Sequence, residues 1–147
     1  MNQECLSIFV ATSAYLFLKM FSNSLVQGYA RFRTQNFKYA EDQKFFGKSD
    51  EAPQPQTDFQ NRADAAWRND LENIPVFFVA SLCALLTGIN PVTYKLLAWG
   101  FCVARSVHTV TLLKPLQPWR TIAFAWGIAC TAMLFKLSLT SLGMQSL

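Results

Sequence analysis

Arg105 and His108 stand three residues apart in an otherwise apolar stretch. A helix puts both on one face, with Thr109 and Leu112 continuing it. An arginine at the centre of a bilayer costs about 2.5–3.5 kcal/mol on insertion scales, so Arg105 must face protein or water. Carbonyls or a neighbouring carboxylate would satisfy it, leaving His108 a bonded core residue; a bound anion would serve equally. Upstream, Arg68-Asn69-Asp70-Leu71-Glu72-Asn73-Ile74-Pro75 gathers five polar residues at the start of another apolar stretch. Asn69 followed by Glu72 has the form of a capping box, and acids in a first turn suit the helix dipole. Arg68 and Glu72 have the spacing to pair, and Pro75 fits only near a helix start or at a kink. Lys19, Asn23, Gln27 and Arg31 recur every four residues as a polar stripe, the form that binds one membrane helix to another. Arg120 and Thr121 open the last apolar stretch.

Four apolar stretches must position these residues: about 5–30, 69–88, 92–113 and 119–141, each close to the 20 or so helical residues that cross a bilayer. The chain is 52% apolar and 15% charged over 147 residues, a balance shifted toward lipid, and the length suits a single domain. The fold class expected is therefore an all-α membrane protein, a four-transmembrane-helix bundle. Gly88-Ile89-Asn90-Pro91 marks a tight turn, and Lys114 to Pro118 a second connection. The only long loop, about 31–66, is polar, holds most of the charge and contains Pro53 and Pro55. The first stretch lacks a basic n-region and reads as a retained signal anchor. Cys5, Cys83, Cys102 and Cys130 are scattered singly, with no CxxC pair and no metal-ligand spacing, so no metal site is expected.

Charge distribution orients the bundle. Of 13 Lys and Arg, nine lie in or beside the first and third connections: Arg31, Arg33, Lys38, Lys44, Lys48, Arg62, Arg68, Lys114 and Arg120. Lys95 alone marks the opposite side. The positive-inside rule makes the long loop cytoplasmic. The net charge of +4 is then a topology signal, and no nucleic-acid partner is needed to explain it. Alternating helix direction brings Arg31, Arg68, Asn69, Glu72, Arg105, His108, Arg120 and Thr121 toward one leaflet. Cations there exceed acids, and arginine binds carboxylates bidentately. A small polyanionic ligand entering from the cytosol is the expectation.

These motifs resemble those of the MAPEG family, membrane-associated proteins of eicosanoid and glutathione metabolism. The eight-residue run from Arg68 to Pro75 carries most of the likeness, supported by Lys19-Met20, Arg31-Phe32-Arg33, Glu41-Asp42, Arg105-Ser106-Val107-His108-Thr109 and Gln117-Pro118-Trp119-Arg120. The resemblance is to the microsomal glutathione transferases, with microsomal prostaglandin E synthase as sister branch. It implies a homotrimer in the endoplasmic reticulum or mitochondrial outer membrane, with glutathione as co-substrate in a cytosol-facing cleft between subunits. It implies glutathione binding by Arg31, Arg68, Asn69, Glu72, Arg105, His108 and Arg120, and catalysis by Arg120 with Thr121 and Asp42. The implied activity is conjugation of glutathione to hydrophobic electrophiles, with peroxidase action on lipid hydroperoxides. A prostaglandin endoperoxide isomerase and a non-catalytic membrane scaffold of the same fold stay open. Three positions depart from the pattern: Leu112 stands where many members have Tyr, and Ala65 and Trp67 replace a common Arg and His, leaving Arg62 as the upstream cation.

Overall fold

The computed structural model describes residues 2–47 and 54–143. Lys48 and Pro53 of the long loop fall outside them. The described chain forms five helices: α1 (Gln3–Thr34), α2 (Ala40–Phe46), α3 (Asp58–Thr87), α4 (Pro91–Leu113) and α5 (Trp119–Ser141). All but α2 are long and apolar enough to cross a membrane. Among the described residues there is no strand. The long helices alternate in direction. α3 and α4 each pack against the other three, while α1 and α5 barely meet.

The α3–α4 turn is built as its residues dictate. Gly88 ends α3 in the left-handed region at φ 71°, which glycine adopts without steric cost, and its N–H bonds the Ala84 carbonyl. Two residues on, the Asn90 side chain accepts from Val92 N at 2.9 Å and Thr93 N at 3.3 Å, with Pro91 in the first turn of α4.

The start of α3 corrects the sequence reading. The helix begins at Asp58, eleven residues before Asn69, and its capping box is Thr57 with Gln60. Asn69 and Glu72 lie well inside the helix and cap nothing. Hydropathy hides this segment because Asp58–Arg68 has no apolar run, yet Ala63, Ala65 and Ala66 are strong helix formers. Pro75 is likewise interior, with the helix continuing through it as membrane helices often do. The expected loop about 31–66 thus contains the last turn of α1, all of α2 and the first turns of α3.

Gln60 closes this end. Its Oε1 accepts from Thr57 N at 2.9 Å, while its Nε2 donates to Thr34 Oγ1 at 3.0 Å and to the Asn36 carbonyl at 2.9 Å. Buried Gln43 of α2 does similar work, accepting from Phe37 N and donating to the Gln35 carbonyl. At the opposite end the core is apolar and closely packed. Phe77 and Phe101 stack at 4.0 Å, and the Ser81 and Tyr94 hydroxyls meet at 2.6 Å. Ala80, Ala84, Ala98 and Cys102 are wholly buried, small side chains that let the helix backbones approach. A Cβ on Gly100 would come within 3.3 Å of Cys130 Sγ, so α4 and α5 meet tightly there.

Gln60→Leu should destabilise the fold by about 1–2 kcal/mol through the lost cap and the lost tie to α1. Amide hydrogen exchange should quicken at residues 57–61 and leave 77–102 unchanged; uniform protection would show that Gln60 closes nothing.

Candidate functional site

Midway along α1, α3 and α4 the core turns polar around one carboxylate. Asp70 has no solvent exposure. Its Oδ2 accepts from Lys19 Nζ and from Asn23 Nδ2 at 2.6 Å; its Oδ1 accepts from Arg105 Nη2 at 3.0 Å. The same Nη2 donates to Asn69 Oδ1, and Lys19 Nζ also donates to Thr109 Oγ1 at 2.6 Å. Arg105, 1% exposed, is the largest fully buried side chain among the described residues. Two cations therefore share one anion. The polar stripe on α1 is what delivers Lys19 and Asn23 to α3, as the helix-to-helix reading required.

Nearly two turns nearer the loop a second carboxylate repeats the arrangement in a wetter setting. Asp64 accepts from Gln27 Nε2 at 2.7 Å and Gln56 Nε2 at 3.0 Å, with Arg31 Nη2 at 3.5 Å. Arg31 also lines a pocket of about 170 Å³ with Asp42, Gly28, Phe32, Phe37 and Phe46. Two residues singled out from separate motifs thus share one concavity, because α2 folds Asp42 back over the end of α1.

The other candidates fall into distinct settings. His108 is buried beside Phe124 at 5.9 Å, its Nδ1 without a partner, and Arg105 Nε one turn away is also unpartnered. Arg120 is half-buried and Thr121 exposed. Both are held by Gln117, whose amide oxygen lies 2.8 Å from Arg120 Nη2 and whose nitrogen lies 3.1 Å from Thr121 Oγ1. A neutral amide leaves the Arg120 charge uncompensated. Arg68 and Glu72 are exposed and, among the described residues, form no ion pair with each other despite their spacing. They sit at the loop end of an exposed α3 stripe whose remainder is apolar: Leu71, Val76, Val79, Leu82 and Leu86.

Asn69 and Arg105 are thereby paired inside the bundle, with the Asn69 oxygen turned to Arg105 and away from the exposed stripe. The acids in this half were undercounted in the sequence. Glu72 stood there as the single carboxylate, whereas Asp70 and Asp64 do the internal pairing. The signal for Asp70 was available: two cations inside spans, Lys19 and Arg105, require a carboxylate at equal depth, and Asp70 is the acid that α3 places there. Asp64 lay in a segment not read as helix. Of the departures, Leu112 is packed into the core, and its carbonyl accepts from Arg62 Nη1 at 3.4 Å, while Arg62 Nε donates to Asp58 at 2.8 Å. Arg62 is thus engaged within the chain.

Residues 9–140 match the MAPEG family. The chain is 33% identical over 141 residues to microsomal glutathione S-transferase 1 of Homo sapiens, covering 93% of this chain and 91% of that protein. It is 30% identical over 140 residues to prostaglandin E synthase of Bos taurus, covering 93% and 90%.

Asp70→Ala strands two buried cations and should cost about 3–5 kcal/mol. Thermal unfolding in detergent should show a much lowered midpoint; an unchanged one would mean that Lys19 and Arg105 find other partners.

Proposed function

The chain belongs to the MAPEG family, and from that premise we propose that it is a membrane-bound glutathione transferase, joining glutathione to hydrophobic electrophiles and reducing lipid hydroperoxides. The observation that carries this reading is the division of charge at the loop end. Asp70 and Asp64 are spent on internal partners, whereas Arg68 has no ion pair among the described residues and Arg120 is held only by an amide. Arginines left so are donors for an anion. Glutathione, with two carboxylates, an ammonium and a thiol, fits a set of Arg31, Arg68 and Arg120 with Glu72 as the acceptor for its amine.

The chemistry follows from the same charges. A thiol of pKa near 8.5 is mostly protonated at neutral pH, and only its thiolate is strongly nucleophilic. The Arg120 guanidinium stabilises that thiolate, and Thr121, fixed on the same Gln117, supplies a hydroxyl beside it. Asp42 lines the same pocket as Arg31, and the role we assign it is to orient that arginine. Inside the core, Asp70 fixes Arg105 and Asn69, and His108 borders the same layer. The protein contributes position and electrostatics and no covalent nucleophile of its own.

Arg68 and Glu72 face outward above an apolar stripe, which favours a site completed by a neighbouring copy, and the assembly proposed is the homotrimer. The loop end faces the cytosol by its excess of Lys and Arg, in the endoplasmic reticulum or mitochondrial outer membrane. The isomerase reading is kept because the prostaglandin E synthase relative is almost as similar as the transferase. It turns over without net consumption of glutathione.

Purified protein in detergent should consume glutathione with chlorodinitrobenzene and with a lipid hydroperoxide. Arg120→Ala should reduce kcat by about 100-fold or more with the oligomer intact. Glu72→Gln should raise the glutathione KM by about ten-fold, the loss expected of one charge-assisted hydrogen bond. Near-normal rates in Arg120→Ala would remove that residue from the mechanism. Absence of both turnover and protection by glutathione against thermal unfolding would leave the scaffold.

A further inference from the structure

Lys95 takes no part in the site above. It stands near the turn end of the bundle, and among the described residues it makes no ion pair or hydrogen bond. It lines a groove of about 750 Å³ on the outer surface between α4 and α5. Along that groove run Trp99, Val103 and Val107 from α4, and Trp119 and Trp126 from α5. Lys95 is the one charged residue in the lining, and three of the four tryptophans of the chain are there.

We propose that this groove binds a single long-chain fatty acid, its carboxylate on Lys95 and its chain laid along α4 toward Trp119. Three features select that occupant. Lys95 lies one turn inside the Pro91 end of α4, about 6 Å along the helix axis from the polar Gly88–Pro91 turn. That is the depth at which a lysine ammonium reaches the bilayer interface, where a fatty-acid headgroup sits. From Lys95 to Val107 the groove extends about 18 Å along α4, the reach of a long acyl chain lying inward from the interface. Its volume belongs to the class that receives one small ligand, which suits one chain and not the two of a phospholipid. Charge completes the match: an otherwise apolar lining with one unpaired ammonium selects an anionic headgroup over a neutral one.

The Lys95 end of the groove stands at the opposite end of the bundle from Arg68 and Glu72 while its far end reaches Trp119 beside Arg120, so occupancy is measured without glutathione. The full chain, reconstituted in phosphatidylcholine vesicles at alkaline pH, is titrated with dibromostearate, whose bromines quench tryptophan on contact. Dibromostearyl alcohol and brominated phosphatidylcholine serve as comparators. Quenching by the acid should saturate, Lys95→Gln should weaken it about three- to ten-fold, and the alcohol should bind wild type no better than the acid binds Lys95→Gln. Val103→Phe, which fills the groove and keeps Lys95, should remove the saturable component. Lys95 and Val103 are both exposed, so neither variant disturbs the core. Quenching that only tracks bilayer content, equal for acid and alcohol and in Lys95→Gln, would overturn the proposal in favour of bulk lipid. Saturation unaltered by Lys95→Gln would overturn it as well. Absence of quenching by every brominated lipid would mean that protein, such as a second copy of the chain, covers the groove.

Discussion

A carboxylate without solvent exposure binds an ammonium from one helix and a guanidinium from another, and α1, α3 and α4 meet around it. Charges in such a setting cost several kcal/mol each to bury, and only close pairing with full hydrogen bonding offsets that. Asp70 meets this condition with three donors from three side chains: Lys19, Asn23 and Arg105. An apolar seam alone would let helices slide or rotate past one another in lipid, where hydrophobicity does not drive their association. A buried ion triad fixes both depth and rotation. Lys19, Asp70 and Arg105 must lie at one level, and that requirement aligns every residue toward the loop on those three helices.

Alignment of this kind separates inward from outward residues on α3. Asn69 and Asp70 turn into the bundle, while Arg68 and Glu72 turn out. Consecutive residues on a helix differ by about 100° in direction, so a segment that anchors the core also presents charge to the outside. The density of polar residues from Arg68 to Asn73 reflects both tasks. A capping box explains neither.

The four apolar spans were legible because lipid imposes a length and a composition that few other environments demand. The Gly88–Pro91 turn was legible for a local reason, since glycine and proline restrict the backbone wherever they occur. What stayed hidden was helix outside the apolar spans. Asp58–Trp67 and Ala40–Phe46 show little hydrophobic periodicity, and their order comes from side-chain contacts outside the helices themselves, Gln60 on Thr34 and Gln43 on Phe37. At the site, Arg105 and the α1 stripe were recognisable from their types. Asp70 could be inferred as the acid those buried cations require, but Asp64 could not, because it lies in a segment without an apolar run and pairing between helices is set by relative depth. That Arg31 and Asp42 share a pocket was beyond motif reading too, since it depends on how α2 folds back.

Helix length then decides where water meets the proposed site. α4 and α5, at 23 residues each, extend about 35 Å, little more than a bilayer core of about 30 Å. α1 at 32 residues and α3 at 30 extend about 45–48 Å. All four helices come together at the turn end, where Cys5 lies beside Ile89, so the surplus length projects at the loop end. There α1 and α3 extend past the shorter pair and carry Arg31 and Gln60 above the level at which α5 begins. Arg120 is in the first turn of α5, at the foot of that step. A hydrophilic ligand entering from water meets the projecting helices first and has its reactive end nearest the apolar region. A lipid-soluble electrophile approaches the same level from below. The step between long and short helices is thus the meeting place that the proposed reaction between a water-soluble thiol and a membrane-dissolved substrate would require.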